Sequence, residues 1–124
     1  MFEDLLGLPF VDGGRGPDKY DCWGLACEVY RRHGIELPDY RISAYDTRKI
    51  GQQITNSLPD YIEVKYPLPV PCLMAIRVNG SYASHVGVYV GNGQFIHAYQ
   101  PTGVVIDRIK RWQSSIVGFY VPGG

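Results

Sequence analysis

The chain lacks the charge pattern of a nucleic-acid-binding protein and the long apolar run of a membrane-spanning one. Its 12 Lys and Arg residues are balanced by 12 Asp and Glu residues, and neighbouring basic residues such as Arg31-Arg32 and Lys110-Arg111 stand only in pairs. Without a long-range positive field, nucleic-acid binding is not expected. No stretch reaches the roughly 18 consecutive apolar residues of a transmembrane helix, so no membrane span is predicted.

Cysteine is scarce, and its spacing excludes two common structural uses. The three cysteines, Cys22, Cys27 and Cys72, are widely and unevenly spaced, which matches neither a disulfide framework nor a CxxC zinc motif. At least one is therefore expected to be a free thiol. The first residues also lack the cationic start and apolar run of a secretion signal. We expect a protein that works in the cytoplasm or leaves the cell by a route that this sequence does not encode.

The length and composition indicate one domain over residues 1–124, because 124 residues with 45% hydrophobic content can bury a single core but not two. The first predicted helix begins at Cys22, with Asp21 as its N-cap, and ends before Gly34 and Pro38. A shorter second helix is predicted over 45–57, where apolar residues recur at a spacing of four.

From residue 61 onward the pattern changes to strands joined by short turns, one of them at Asn79-Gly80. The predicted strands cover residues 61–66, 73–78, 84–90, 94–99, 104–109 and 116–121. Short turns between consecutive strands imply antiparallel pairing. The predicted class is therefore α+β, with N-terminal helices packed on a central antiparallel sheet of about five or six strands.

Cys22, His85 and His97 are the candidate catalytic residues. A helix N-terminus and a nearby imidazolium lower a thiol's pKa, so Cys22 and His85 could form a thiolate–imidazolium pair. His97 could then orient the His85 ring. The backbone N–H of Cys22, unpaired at the start of the helix, is placed to stabilise an oxyanion. This set supports acyl transfer, most simply amide hydrolysis, with no cofactor and no metal.

The two histidines can act together only in one strand register. A plain two-residue turn at Asn92-Gly93 would put their rings on opposite faces of the sheet. Direct pairing of His85 with His97 requires an odd-length loop or a bulge near Gly91. We predict this odd register, with Gly87 leaving backbone free for a substrate.

Each of these residues also has a structural interpretation. A cysteine at a helix start is more often a small buried residue than a nucleophile, and each histidine could be a hydrogen-bonded core residue. Cys27 and Cys72 are expected to be structural. A zinc site formed by Cys22, His85 and His97 is a weaker alternative.

Three motifs surround the candidate residues: Asp21-Cys22-Trp23-Gly24, Ser84-His85-Val86-Gly87 and Phe95-Ile96-His97-Ala98. They resemble the motifs of the NlpC-type papain-like cysteine peptidases, bacterial and phage enzymes that cut the peptide stems of peptidoglycan, and the resemblance extends from about residue 8 to residue 122. It implies a papain-like fold with Cys22 as nucleophile, His85 as base and His97 as orienting residue. It also implies that Asp21 helps to bind the free amino end of a stem peptide, and that the bond cut joins D-glutamate, through its side chain, to a diamino acid.

The sequence departs from the family pattern in three segments. Phe10 replaces a tyrosine, which removes a hydroxyl near the oxyanion or substrate. Trp23 replaces a serine and would alter or narrow substrate binding. Pro71-Cys72 replaces the Gly-Asp pair that begins the strand before the histidines. The predicted nucleophile, base and orienting residue therefore match the family, whereas the residues around them differ from its pattern.

The variant Asp-Cys-Trp-Gly, with Val105-Ile106-Asp107 near the end of the chain, is similar to stand-alone members encoded among phage tail-assembly genes. This resemblance implies a phage or prophage origin, action at the bacterial cell wall and phage tail proteins as partners. Two alternatives stay open: a cysteine amidase or acyltransferase with a non-wall substrate, and a non-catalytic tail-assembly module on the same fold.

Overall fold

The computed structural model describes residues 1–43, 46–78, 80 and 82–123. In chain order, its elements are α1 (Cys22–Arg32), α2 (Thr47–Ser57), β1 (Tyr61–Val64), β2 (Cys72–Ile76), β3 (His85–Gly91), β4 (Gln94–Tyr99), β5 (Gly103–Arg108), α3 (Ile109–Trp112) and β6 (Ile116–Pro122). Short 3-10 turns follow α2 and α3. Within these residues, no helix has the length and apolar character needed to cross a membrane.

The predicted α+β class is confirmed, and the predicted strands and second helix agree with the structure to within about two residues at each end. The first residue predicted for α2, position 45, and the first residue of the predicted Asn79-Gly80 turn lie outside the described residues. One element was missed, because Ile109 begins a short helix instead of ending a strand.

All six strands form one antiparallel sheet in the order β1-β6-β2-β3-β4-β5. Strands β2 to β5 are neighbours in both sequence and space, as their short turns predict. The last strand, β6, returns across the sheet and lies between β1 and β2. Among the described strands, β1 therefore pairs only with β6.

Apolar side chains cover both faces of the sheet. On one face, α1 packs against β3 and β4, and Leu25 shares a buried cluster with Val88 and Ile96. On the other face a smaller cluster contains Phe95, with Trp112 of α3 packed against it. Because strand side chains alternate, adjacent residues of β3 and β4 belong to different clusters, and this alternation decides where the histidines lie.

Candidate active site

Cys22 lies at the start of α1 as predicted, in a turn held by Asp21. Oδ1 of Asp21 accepts a hydrogen bond from the Gly24 N–H at 2.8 Å, which makes Asp21 the N-cap. The same carboxylate accepts hydrogen bonds from the Gly13 N–H at 3.1 Å and from Nη1 of Arg15 at 2.7 Å. Asp21 is almost fully buried. Its carboxylate therefore stabilises this turn, while contact with a substrate amino group stays a prediction.

Gly24 allows α1 to approach the loop that precedes it. A Cβ at this position would lie 2.0 Å from the carbonyl oxygen of Gly14, and that oxygen accepts a hydrogen bond from the Asp21 N–H at 3.1 Å. A side chain here would push the helix away from the loop. The glycine in the Asp-Cys-Trp-Gly motif thus has a steric cause.

The thiol of Cys22 meets β3 at the peptide that joins His85 to Val86. Burial, and to a smaller extent the Asp21 charge, raises the pKa of Cys22 to about 11, against the opposing effect of hydrogen bonds from the Val86 and Trp23 N–H groups. The sulfur is therefore protonated in the free protein at neutral pH. The lowered pKa expected from the helix start is wrong for this resting state, because desolvation outweighs the backbone donors.

A pocket of about 100 Å³ lies beside Cys22, between α2 and the sheet. Its lining is mostly aliphatic and aromatic and includes Trp23, Tyr40, Ile50, Ile54, Tyr61 and Leu73. Asp21 is the only charged residue among the described lining residues, and its charge is paired with Arg15. The candidate nucleophile thus borders an apolar space.

Trp23, predicted to bind substrate, is held in place at this pocket. Its Nε1–H donates to the carbonyl oxygen of Pro38 at 2.8 Å, and its ring centroid lies 5.0 Å from that of Tyr40. Phe10, in the position of the family's tyrosine, packs against the main core without a hydroxyl. Tyr40 and Tyr61 also line the pocket, and their hydroxyls lie 3.3 Å apart. Neither tyrosine was among the site residues predicted from the sequence.

The rings of His85 and His97 converge, as the register argument predicted. Nε2 of His85 lies 2.8 Å from Nδ1 of His97, and both side chains are buried. The detailed pairing differs from the prediction, because Val88 pairs with Ile96 and this register places His97 opposite residue 87, not opposite His85. The predicted irregularity is present, as a register shift between positions 89 and 91.

Aromatic rings enclose His97, which has 0% exposed surface. Its ring centroid lies 4.6 Å from that of Phe95, 5.6 Å from that of Tyr99 and 5.1 Å from that of Trp112. A Cβ on Gly87 would lie 2.8 Å from Cδ2 of Phe95. Gly87 therefore makes room for this enclosure, and the prediction that it leaves backbone free for a substrate is wrong.

Asp107 of β5 extends the histidine pair and was not among the site residues predicted from the sequence. Its Oδ2 accepts hydrogen bonds from Nε2 of His97 at 2.8 Å and from Nε1 of Trp112 at 3.2 Å. Asp107 pairs with Phe95 and so shares the face of the sheet that carries His97. The available signal was an acidic residue directly after the apolar run 104–106.

At rest, the Cys22 thiol and both imidazoles are neutral. Burial and the neighbouring His97 lower the pKa of His85 to about 3, and burial also lowers the pKa of His97, against the opposing effect of Asp107. Among the described residues, no hydrogen bond joins the Cys22 sulfur to either ring. The thiolate–imidazolium pair considered from the sequence is therefore not the resting arrangement.

The zinc alternative finds no geometric support in the part of the chain that the structure describes. No group of three or more His, Cys, Asp or Glu side chains is arranged there to hold a metal ion. Cys22 meets β3 through backbone donors, whereas His85 and His97 use ring nitrogens to bind each other.

The fold and the site together define a papain-like domain, with a cysteine at a helix start and paired histidines on an antiparallel sheet. Residues 7–121 match the NlpC/P60 family, and the chain belongs to that family. The resemblance seen in the motifs is therefore confirmed over nearly the whole chain.

Two relatives illustrate the sequence similarity. The probable endopeptidase p60 of Listeria innocua is 36% identical over 116 residues, which cover 92% of this chain and 22% of the relative. The murein DD-endopeptidase/LD-carboxypeptidase MepS of Escherichia coli K12 is 32% identical over 111 residues, covering 89% of this chain and 52% of the relative. This chain therefore spans about a fifth of p60 and about half of MepS.

Solved structures agree on the fold. An NLP/P60-family protein from Staphylococcus aureus, described as similar to a lipoprotein, superposes with a TM-score of 0.67 at 25% identity, covering 97% of this chain and 38% of that protein. The NlpC/p60 domain of the peptidoglycan hydrolase SagA has a TM-score of 0.61 at 23% identity, covering 94% of this chain and 88% of that domain.

Proposed function

We propose that this chain forms a single cysteine peptidase domain that hydrolyses an amide bond in the peptide stem of peptidoglycan. One observation carries the proposal: the Cys22 thiol borders a pocket at the His85–Val86 peptide, while His85 is hydrogen-bonded to His97 at 2.8 Å. The curated relatives named as endopeptidases support this choice of reaction.

In the proposed mechanism, the proton moves as the sulfur attacks, because both partners are neutral at rest. His85 takes the thiol proton while Sγ of Cys22 bonds to the substrate carbonyl carbon. The Cys22 N–H donates to the oxyanion that forms. The C–N bond then breaks, His85 returns the proton to the leaving amine, and water hydrolyses the thioester with His85 again as the base.

The motif resemblance suggests which bond of the stem peptide is cut. The bond would join D-glutamate, through its side chain, to a diamino acid, with Trp23 against the acyl part and Asp21 near the amino end. Because the Asp21 charge is already paired with Arg15, binding of an amino group there requires Arg15 to share this carboxylate. A second proposal is association with a phage tail, and its support is the resemblance of the Asp-Cys-Trp-Gly variant and of Val105-Ile106-Asp107 to phage tail-assembly members of the family.

The decisive test compares two matched cysteine variants of α1. Cys22→Ala should abolish cleavage of a stem peptide, as followed by mass spectrometry, whereas Cys27→Ala, in the same helix, should retain it. Both variants should keep the circular dichroism spectrum of the parent chain. Equal cleavage by the parent and by Cys22→Ala would rule the proposal out.

Two observations favour second candidates, and the same assays separate them. The apolar pocket lining favours a cysteine amidase or acyltransferase with a non-wall acyl substrate. A panel of acyl amides and esters would then show Cys22-dependent turnover, whereas stem peptides would not be cleaved.

The raised pKa of Cys22, with no thiol–imidazole hydrogen bond among the described residues, favours a non-catalytic tail-assembly module. That module would turn over neither class of substrate. Detection of the protein in purified phage particles by mass spectrometry tests the tail association.

A further inference from the structure

Three buried or half-buried side chains form a continuous hydrogen-bonded chain on the face of the sheet opposite α1. Nε2 of His85 lies 2.8 Å from Nδ1 of His97, and Nε2 of His97 lies 2.8 Å from Oδ2 of Asp107. Each histidine therefore uses its Nε2 toward the next member, and His97 uses its Nδ1 toward His85. Through His97, the Asp107 carboxylate can therefore influence which nitrogen of His85 carries a proton.

The direction of the protons follows from what each atom can donate. An ionised carboxylate only accepts, so Nε2 of His97 carries the hydrogen that is shared with Asp107. A neutral imidazole has one N–H, which leaves Nδ1 of His97 as an acceptor. Nε2 of His85 must then be the donor to His97, and Nδ1 of His85 is left without a hydrogen.

The free nitrogen, Nδ1 of His85, is available to a reacting group. It has no hydrogen-bond partner among the described residues. It is also not one of the fully enclosed atoms without a partner, which are Oη of Tyr30 and Nε2 of His33. The remaining lone pair of His85 can therefore receive a proton from a thiol that approaches the start of β3.

We propose that Asp107 is a positioning residue that acts through His97 to hold both imidazoles in the tautomer that leaves Nδ1 of His85 free to accept the Cys22 proton. The inference rests on the proposed function for the identity of the reacting thiol. The tautomers themselves do not depend on any activity, and they can be observed in the protein without a substrate.

Trp112 helps to hold the Asp107 carboxylate in position as an acceptor. Its indole N–H, which can only donate, reaches the same Oδ2 of Asp107 that accepts from His97. Its ring also packs on His97 at a centroid distance of 5.1 Å. Because two N–H groups point at this one oxygen, a side chain that replaces Asp107 is expected to place an acceptor atom there if it has one.

The proton count in the reaction is balanced. Cys22 gives its thiol proton to Nδ1 of His85 as the sulfur–carbon bond forms, and His85 becomes an imidazolium. Its Nε2–H keeps donating to His97, whose own Nε2–H keeps donating to Asp107. The negative carboxylate thus stabilises the imidazolium across one ring, and His85 later releases the Nδ1 proton to the leaving amine.

Two substitutions separate the two contributions of Asp107. In Asp107→Asn, the Trp112 and His97 donors should hold the amide oxygen in the place of Oδ2, which keeps the tautomers and removes the charge. Asp107→Leu removes both the acceptor and the charge. Asp18→Asn, an exposed carboxylate in the loop before α1, is the matched control for loss of one surface charge.

The first measurement is long-range proton–nitrogen NMR of histidine-labelled protein. The chain has three histidines, so the spectra of His33→Gln and His85→Gln together assign each signal to one residue. We expect the Nε2–H tautomer for both His85 and His97 in the parent, Asp18→Asn and Asp107→Asn proteins, and a mixed or Nδ1–H state for His97 in Asp107→Leu. An Nδ1–H tautomer of His97 in the parent protein would overturn the inference, even if Asp107→Leu failed to fold.

The second measurement is the pH profile of stem-peptide cleavage. Asp107→Leu should lower kcat about 100-fold with little change in KM, the size expected when a general base is misoriented. Asp107→Asn should lower kcat about 10-fold and move the acidic limb of the kcat profile to lower pH, because the imidazolium loses a neighbouring negative charge.

If kcat, its pH profile and the tautomers are all unchanged in Asp107→Leu while Cys22→Ala is inactive, Asp107 has no positioning role. If Cys22→Ala is fully active, the proposed function itself fails, while the NMR result still stands.

Discussion

Nη1 of Arg15 donates to Oδ1 of Asp21 across 2.7 Å, directly before the residue proposed as nucleophile. The Asp21 side chain is only 3% exposed, and that of Arg15 is 21% exposed. The same guanidinium also donates to Asp39 and to the carbonyl oxygen of Tyr40. Arg15 thus neutralises a buried carboxylate and ties the loop before α1 to the loop after it.

Removing this cation should destabilise the protein strongly. Arg15→Met leaves the Asp21 carboxylate buried with its two backbone donors only, and we expect a loss of about 3 kcal/mol in the free energy of unfolding. Urea denaturation checks this value. Arg41→Met, which removes an exposed cation paired with Asp39, should change stability by less than about 0.5 kcal/mol. Equal midpoints for the two variants would contradict the structural role of Arg15.

Alkylation of Cys22 should be slow at neutral pH and should accelerate as pH rises. Burial raises the pKa of Cys22 to about 11, so the thiolate fraction grows about tenfold for each pH unit below that value. Peptide-level mass spectrometry after iodoacetamide treatment gives the rate for each cysteine. A plateau in the Cys22 rate below about pH 7 would show a thiolate in the free protein, and the neutral resting site would be wrong.

The folded state should lose stability on mild acidification through His85. Its ordinary pKa is 6.5 and its folded pKa is about 3, so between these values the unfolded chain binds more protons. The contribution of the neutral ring is therefore complete above about pH 6.5 and is lost as the pH falls toward 3. We expect a loss of roughly 2 kcal/mol between about pH 6.5 and 4.5.

Urea denaturation at several pH values measures this loss, and His85→Gln isolates it. The variant keeps the carboxylates that also respond to acid, so only the histidine contribution should disappear from the slope. If the parent protein and His85→Gln lose stability in parallel between these two pH values, the folded-state pKa of His85 is not depressed.

Gly24→Ala should destabilise the protein, although alanine is the better helix former. In an open helix the change would add about 1 kcal/mol of stability. Here the new Cβ would lie 2.0 Å from the Gly14 carbonyl oxygen, so α1 and its loop must separate, and we expect a net loss of about 2 kcal/mol. Thermal unfolding measures the sign. Asn56→Ala, at an exposed position of α2, should be neutral or stabilising, and a rise in midpoint for both variants would disprove the steric role of Gly24.

Local sequence determined the elements and half of the site. The Asp21 cap, the start of α1 at Cys22 and the strand boundaries each depend on neighbouring residues, through backbone hydrogen bonding and the alternation of side chains. Strand periodicity placed the two histidines on one face only together with the irregularity predicted near Gly91. Their motif also indicated the family before any contact was known.

Long-range packing decided the rest, because it depends on which distant residues share a face and how much water they exclude. The sequence did not place β6 between β1 and β2, since no short turn fixes the position of that strand. It did not connect Asp107 to His97, which meet only when β5 pairs with β4 and α3 covers them. It favoured a charged Cys22–His85 pair, whereas burial makes the resting groups neutral, and burial is a property of the folded molecule as a whole.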